Sequence, residues 1–317
     1  MKKWLDIPLS WTATSRHALV SSLNSLNKLR NTWSDGGLET GSYHSAFRYF
    51  FEETGLEQKF SPPIAAKAGR YFARCYRDLN FHILSSCLLA DEIGAWEKVS
   101  TIKFNGLDKL KNNNGKGLVV FSYHTGPYTI IPYVLMVMGF KVNILVRSDQ
   151  VEPETGMSID EINARINEVC NICGFGQMKV IDSQKIMSLI QIKKALKRGE
   201  LILLFPDTAR DSSVSSIPVP FFNRYIYGHA GLAKLFKLSK ANFYPILSSW
   251  KENGRIQLDV HDSLNIKPND REEDIIKSIY SLFEDAIIRN PAQWTRVQVL
   301  PELLVSRKDE PIEDNPG

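Results

Sequence analysis

The stretch Gly117-Leu118-Val119-Val120-Phe121-Ser122-Tyr123-His124-Thr125-Gly126-Pro127 decides the fold. Four apolar residues in a row, Leu118 to Phe121, suit a short strand buried on both faces, as strands of parallel sheets are. Thr125-Gly126-Pro127 is a turn whose proline is placed to start a helix, predicted to run to about Met138 and to end at Gly139. The same grammar continues downstream. Val142 to Val146 reads as a strand, 159–173 as an amphipathic helix, Lys179 to Ile181 as a short strand and Gln184 to Arg198 as a helix. Leu201 to Phe205 is another buried strand, followed by a polar segment, Asp207 to Ser216. Gly228 to Lys240 reads as a helix, Phe243 to Ser249 and Arg255 to His261 as a hairpin, and Glu272 to Ile288 as a last amphipathic helix. Upstream, a helical stretch over 63–98 ends before the break at Asn112-Asn113-Asn114-Gly115. The predicted fold class is α/β: a mostly parallel central sheet flanked by helices, with an N-terminal helical region. The predicted division is 1–112 helical and packed on the core, 113–300 α/β core, and 301–317 a C-terminal tail.

Composition narrows the class. With 43% hydrophobic and 23% charged residues, the 317-residue chain is a folded globular protein and not a disordered one. A net charge of +4 suits an acidic partner or anionic surface but is too small to argue for nucleic acid. No apolar run reaches the roughly 18 residues of a membrane span. The longest, Ile130 to Phe140, holds Pro132 and Tyr133. The N-terminus turns polar too soon for a secretion signal, so a soluble, cytoplasmic chain is expected, with a peripheral contact to the inner membrane through aromatics at Phe47 to Phe51. Four cysteines make no disulfide framework. Cys170 and Cys173 close a helix instead of opening one, which suits packing better than redox chemistry.

Two strand exits carry chemistry, and ligand sites of open α/β sheets lie at such exits. His124 stands at the first, beside a helix N-terminus whose dipole disfavours imidazolium, so it can serve as a general base. The competing reading is a histidine that only caps the turn. The second exit is Phe205-Pro206-Asp207-Thr208-Ala209-Arg210-Asp211, with Pro218-Val219-Pro220-Phe221-Phe222-Asn223-Arg224 beyond it. Arg210 and Arg224 can grip a phosphate or carboxylate in fork geometry, or can simply pair with Asp207 and Asp211.

These blocks resemble the lysophospholipid acyltransferase superfamily. Its signature is a strand, then a histidine with an acidic residue five positions on. The chain is most similar to the lipid A biosynthesis branch, which transfers lauroyl or myristoyl groups from acyl carrier protein. Residues 117–126 look like that branch's strand and His-x-Gly turn, 142–147 its next strand ending in a basic residue, and 199–207 its strand ending in Pro-Asp. Val219-Pro220-Phe221-Phe222, Gly228, Leu232-Ala233, Ala241 to Pro245 and Pro291-Ala292-Gln293-Trp294 also fit. Three positions depart: Thr129 replaces the acidic partner, Asn223 the glycine of Phe-Phe-Gly, and Thr208 the glutamine of Pro-Asp-Gln. The branch's N-terminal anchoring helix is not visible.

The resemblance implies an acyltransferase with His124 as base, oriented weakly by Thr129 or instead by Asp207. Arg147, Arg210 and Arg224 would hold the phosphate of a phosphopantetheine arm or of an anionic acceptor. Backbone N–H groups near Gly126 would hold the oxyanion, with Pro127 removing one donor. No metal or bound cofactor is implied; the co-substrate is an acyl-carrier-protein or coenzyme A thioester. The acceptor is an amine or hydroxyl, on a small molecule or lipid, in a specialised pathway. An acidic carrier protein or carrier domain could meet the basic patch Lys193 to Arg198. The alternative is a degenerate protein of this fold that binds acyl chains or their carrier without turnover.

Overall fold

In the computed structural model, residues 40–56, 67–68, 71, 102–111, 117–173, 177–185, 187–208, 215–239, 241–251, 255–267 and 269–311 are described. In chain order they form helix α1 (Thr40–Thr54), strand β1 (Ile102–Asn105), helix α2 (Asp108–Lys111), β2 (Leu118–Phe121), α3 (Ile131–Val137), β3 (Lys141–Val146) and α4 (Ser148–Thr155). Then come α5 (Ile159–Cys173), β4 (Gln177–Asp182), α6 (Ser188–Lys197), β5 (Leu201–Leu204), β6 (Ser216–Phe221) and β7 (Arg224–His229). The last are α7 (Ala230–Ser239), β8 (Asn242–Trp250), β9 (Ile256–Val260), α8 (Glu272–Arg289) and α9 (Leu300–Leu303).

Seven strands make the central sheet, in the order β1-β9-β8-β2-β5-β3-β4. All neighbours run parallel except β8 and β9, which pair antiparallel as the expected hairpin. β2 and β5 lie in the middle and are buried along their whole length. Their residues alternate between two apolar layers. Val119 and Phe121 enter the layer with α1, α6, α7 and α8, and Leu118 and Val120 the layer with α3. The mostly parallel sheet between helices is the fold class the sequence predicts.

Several elements differ from expectation. The helix predicted over 63–98 lies outside the described residues except at 67–68 and 71. β1, inside the region expected to be helical, pairs with β9 and joins the sheet; four residues are too few to show a period. The β6–β7 hairpin stands where no strand is predicted, because Pro218 and Pro220 read as loop. They are tolerated because this ribbon has two strands only, so β6 pairs on one edge. Helix α4, polar and holding Pro153, forms in a stretch for which no element is predicted. The first part of the expected tail is packed: Leu303 and Val305 are fully buried, and the Val305 N–H donates to the Tyr225 carbonyl. Phe47, Phe50 and Phe51 are buried too. Phe50 meets Trp294 and Phe222 edge-on, so the expected membrane contact through these aromatics does not stand.

Candidate active site

β2 and β5 are parallel and in register, with Phe121 opposite Leu204. The Ser122 N–H donates to the Leu204 carbonyl at 3.0 Å and carries the ladder one step further. His124 lies three residues past Phe121, and Asp207 three past Leu204. Register therefore brings the two side chains level. His124 Nδ1 and Asp207 Oδ1 are 2.9 Å apart, and the His124 backbone N–H donates to Asp207 Oδ2, also at 2.9 Å. Asp207 is fully buried and His124 nearly so. A carboxylate on Nδ1 fixes the tautomer that keeps the Nδ1 proton and leaves Nε2 as acceptor. No described residue hydrogen-bonds Nε2. The imidazole packs between Tyr128, edge-on at 4.7 Å, and Phe205, at 4.9 Å between ring centres.

The histidine loop is held from behind. The His124 carbonyl accepts both the Thr295 N–H, at 2.9 Å, and the Thr295 hydroxyl, at 2.8 Å. The Gly126 N–H donates to the Gln293 carbonyl at 2.8 Å, and Thr125 bridges Trp294. Gly126 has φ +59°, and a Cβ there would overlap the Ser248 carbonyl, so both backbone shape and space demand glycine. The Gln293 side chain in turn clamps Trp250, accepting its N–H and donating to its carbonyl. Helix α8 secures both strand exits: the Tyr123 hydroxyl donates to the Ile279 carbonyl and the Tyr280 hydroxyl to the Pro206 carbonyl. Burial, with the Asp207 carboxylate adding to it, holds both phenols well above their usual range.

The sequence profile of the bacterial lipid A biosynthesis acyltransferases matches residues 89–300, well over half of the chain. The chain belongs to this family. It is an acyltransferase by family. A solved structure, the 1-acyl-sn-glycerophosphate acyltransferase PlsC from Thermotoga maritima, is 14% identical, with a TM-score of 0.39 over 83% of this chain and 97% of that one. No curated protein matches.

The structure brings His124 together with Asp207: Nδ1 faces that carboxylate, while Thr129, expected as a weak partner, lies half-buried in a one-turn 3-10 helix, Tyr128–Ile130. The Gly126 N–H, expected as an oxyanion donor, is taken by Gln293. Arg224, expected to grip substrate, is buried in a structural clamp. It forms ion pairs with Glu53 and Glu310 and donates to the Val305 carbonyl, tying α1, the β6–β7 ribbon and the C-terminal segment together. Arg210 lies outside the described residues. Arg147 does stand on the same edge of the sheet as His124, paired with Asp149 by two hydrogen bonds. Asn223 sets its amide against the carbonyls of Glu53 and Thr54, where hydrogen bonding assigns the nitrogen to that side. The left-handed residue of that turn is Phe222, whose N–H donates to Glu284.

Beside Phe205 a cavity of about 250 Å³ opens between β3, β5, α6 and α7. Leu145, Ile192, Leu204, Leu232 and Leu235 line it, and Arg147 stands among them. His229 Nε2 and the Thr208 hydroxyl, 3.2 Å apart, supply polar atoms. Sequence reasoning missed Thr295, Tyr280 and His229. Gln293 was visible only as part of a family-like block, with no role attached. Cys170 is a packing residue: it is half-buried against Met136, and burial raises its thiol. Among the described residues no cluster of three or more His, Cys, Asp or Glu could hold a metal. No helix of the described residues is long and apolar enough to cross a membrane.

Proposed function

We propose that the chain moves an acyl group from a carrier-protein or coenzyme A thioester onto a hydroxyl or amine of a lipid-type or small-molecule acceptor, with His124 as general base and Asp207 as its carboxylate. The observation that carries this reading is the buried His124–Asp207 pair at the strand exits, with Nε2 hydrogen-bonded by none of the described residues. Nε2 takes the proton of the acceptor O–H or N–H as that atom attacks the thioester carbonyl carbon. The Asp207 carboxylate steadies the imidazolium. The tetrahedral intermediate collapses, the C–S bond breaks, and the imidazolium returns its proton to the departing thiolate. The apolar cavity beside Phe205 suits the acyl chain, and Arg147, with Arg210, suits a phosphate on donor or acceptor. The departure at position 129 supports an acceptor other than the usual lipid A precursor, in a specialised pathway.

The test is intact-mass analysis of acyl carrier protein loaded with different chains, incubated with the protein and candidate acceptors. Thioester consumption with matching acceptor acylation is expected, and His124→Ala should reduce it to background. Carrier binding with no consumption for any chain favours the degenerate alternative; consumption unchanged in His124→Ala removes the histidine from the reaction.

A further inference from the structure

Charge is unevenly spread over the molecule. No acidic residue occurs between Asp182 and Glu200 or between Asp211 and Glu252. These two stretches contain α6 and α7, which touch each other and both line the cavity. Lys193, Lys194, Lys197 and Lys234 are exposed on them, and none has an ion-pair partner among the described residues. Helix α8 differs, with Glu272, Glu273, Asp274, Glu284 and Asp285. Among the described residues, the same basic face carries the most exposed large apolar side chains: Leu238 at 57%, Met187 at 54%, Leu189 at 48% and Ile190 at 45%. Helical spacing sets Lys193, Lys194 and Lys197 one and two turns behind Leu189 and Ile190 on the outer side, while Ser188, Ile192, Ala195 and Leu196 are buried. Leu238 continues the stripe of Gly231 and Leu235. Leu189 is both half exposed and part of the cavity lining, so the cavity opens onto this face.

We infer that the α6–α7 face rests on an anionic lipid surface, with Met187, Leu189, Ile190 and Leu238 entering the interface, the lysines at headgroup level and the cavity mouth against the bilayer. Apolar tips backed by lysines are the pattern of an interfacial helix, and an acid-free lysine face is attracted to anionic headgroups. An apolar cavity opening there lets an alkyl chain pass between bilayer and protein without crossing water. Binding to lipid needs no turnover, so the outcome stands apart from acyl transfer.

The full chain is sedimented with vesicles of phosphatidylcholine alone and of phosphatidylcholine with about 30% phosphatidylglycerol. Partitioning about tenfold or more stronger into the anionic vesicles is expected, weakening as salt screens the headgroups. Lys193→Glu with Lys194→Glu should cut it about tenfold or more, and the milder Lys193→Gln with Lys194→Gln should weaken it in the same direction. Met187→Ser with Ile190→Ser should remove most of the binding that survives high salt. Lys277→Glu with Lys308→Glu, an equal charge change elsewhere, should leave partitioning within about twofold. Thermal melts confirm that the variants fold. The inference is overturned if the Lys193/Lys194 and Lys277/Lys308 variants bind alike. It is also overturned if no vesicle is bound while immobilised acidic carrier protein is retained through these lysines.

Discussion

His124 and Asp207 are 83 positions apart in the chain and 2.9 Å apart in space. The carboxylate serves two bonds at once, to the ring and to the backbone N–H, so it sets the position of the imidazole as well as its tautomer. Asp207→Asn keeps the shape but turns a donor toward one of those bonds and removes the charge. With acylated carrier or coenzyme A as donor, turnover should fall by about 10³ to 10⁴, the scale seen when an amide replaces the carboxylate of a histidine pair. Thr129→Val should leave turnover within about threefold, because Nδ1 is held elsewhere. A large loss in Thr129→Val with little in Asp207→Asn would reverse the assignment of the partner. Thr295 acts through His124 as a positioning residue. Thr295→Val deletes the hydroxyl bond to the His124 carbonyl and keeps the backbone one. It should cost about 1 kcal/mol of stability and lower kcat with KM unchanged, and Thr295→Ser should restore kcat. An equal shift of kcat and KM, or none, would make Thr295 purely structural.

Among the elements, the antiparallel β8–β9 pair ends in a titratable switch of stability. His261 follows β9, its N–H donates to the Pro245 carbonyl, and its Nε2 is buried without a hydrogen-bond partner among the described residues. Burial lowers its affinity for a proton; Asp259 and Asp262 pull the other way, and Arg289 and Lys109 act with burial. The unfolded chain therefore binds the proton more readily, so stability rises with pH through this group. The contribution is complete above the ordinary histidine value of about 6.5 and is lost as pH falls below it. Urea midpoints at about pH 7.5 and pH 5 should diverge more in the natural protein than in His261→Gln; equal divergence would show that His261 does not titrate against folding. The β6–β7 ribbon is stabilised differently. Arg224 beside its turn bonds to two other segments, and Glu284 of α8 accepts the N–H of its left-handed Phe222. An isolated two-strand ribbon is marginal in water, so these outside contacts explain how a strand with two prolines persists.

At the scale of the molecule, α1 and the 290–305 segment pack behind the histidine loop, so the N- and C-terminal parts of the described chain support one site. Phe50 is fully buried against Trp294, whose neighbours Gln293 and Thr295 hold the loop. Phe50→Ala should cost about 3 to 5 kcal/mol. It should also depress turnover beyond what the unfolded fraction explains, measured by denaturant titration beside an activity assay; a stability loss with full specific activity would uncouple α1 from the site. Much of this architecture is legible from the chain alone. The apolar run Leu118 to Phe121, the periods of 159–173 and 272–288 and the glycine and proline stops are local signals, and each became the element it implies. His124 at a strand exit, and the family blocks around it, were legible for the same reason: motif and strand are contiguous. The sequence left Thr129 and Asp207 as candidate partners, and the one hydrogen-bonded to the ring is Asp207. That choice depends on β2 lying beside β5 in register, and strand order is set by packing of the two apolar layers, which no local period records. Arg224 and Gly126 looked like ligand contacts because their types suit anions. Only the tertiary structure shows their bonds already made, to Glu53, Glu310 and Val305 in one case and to Gln293 in the other, since hydrogen-bond partners so distant in sequence are fixed by the fold and not by spacing.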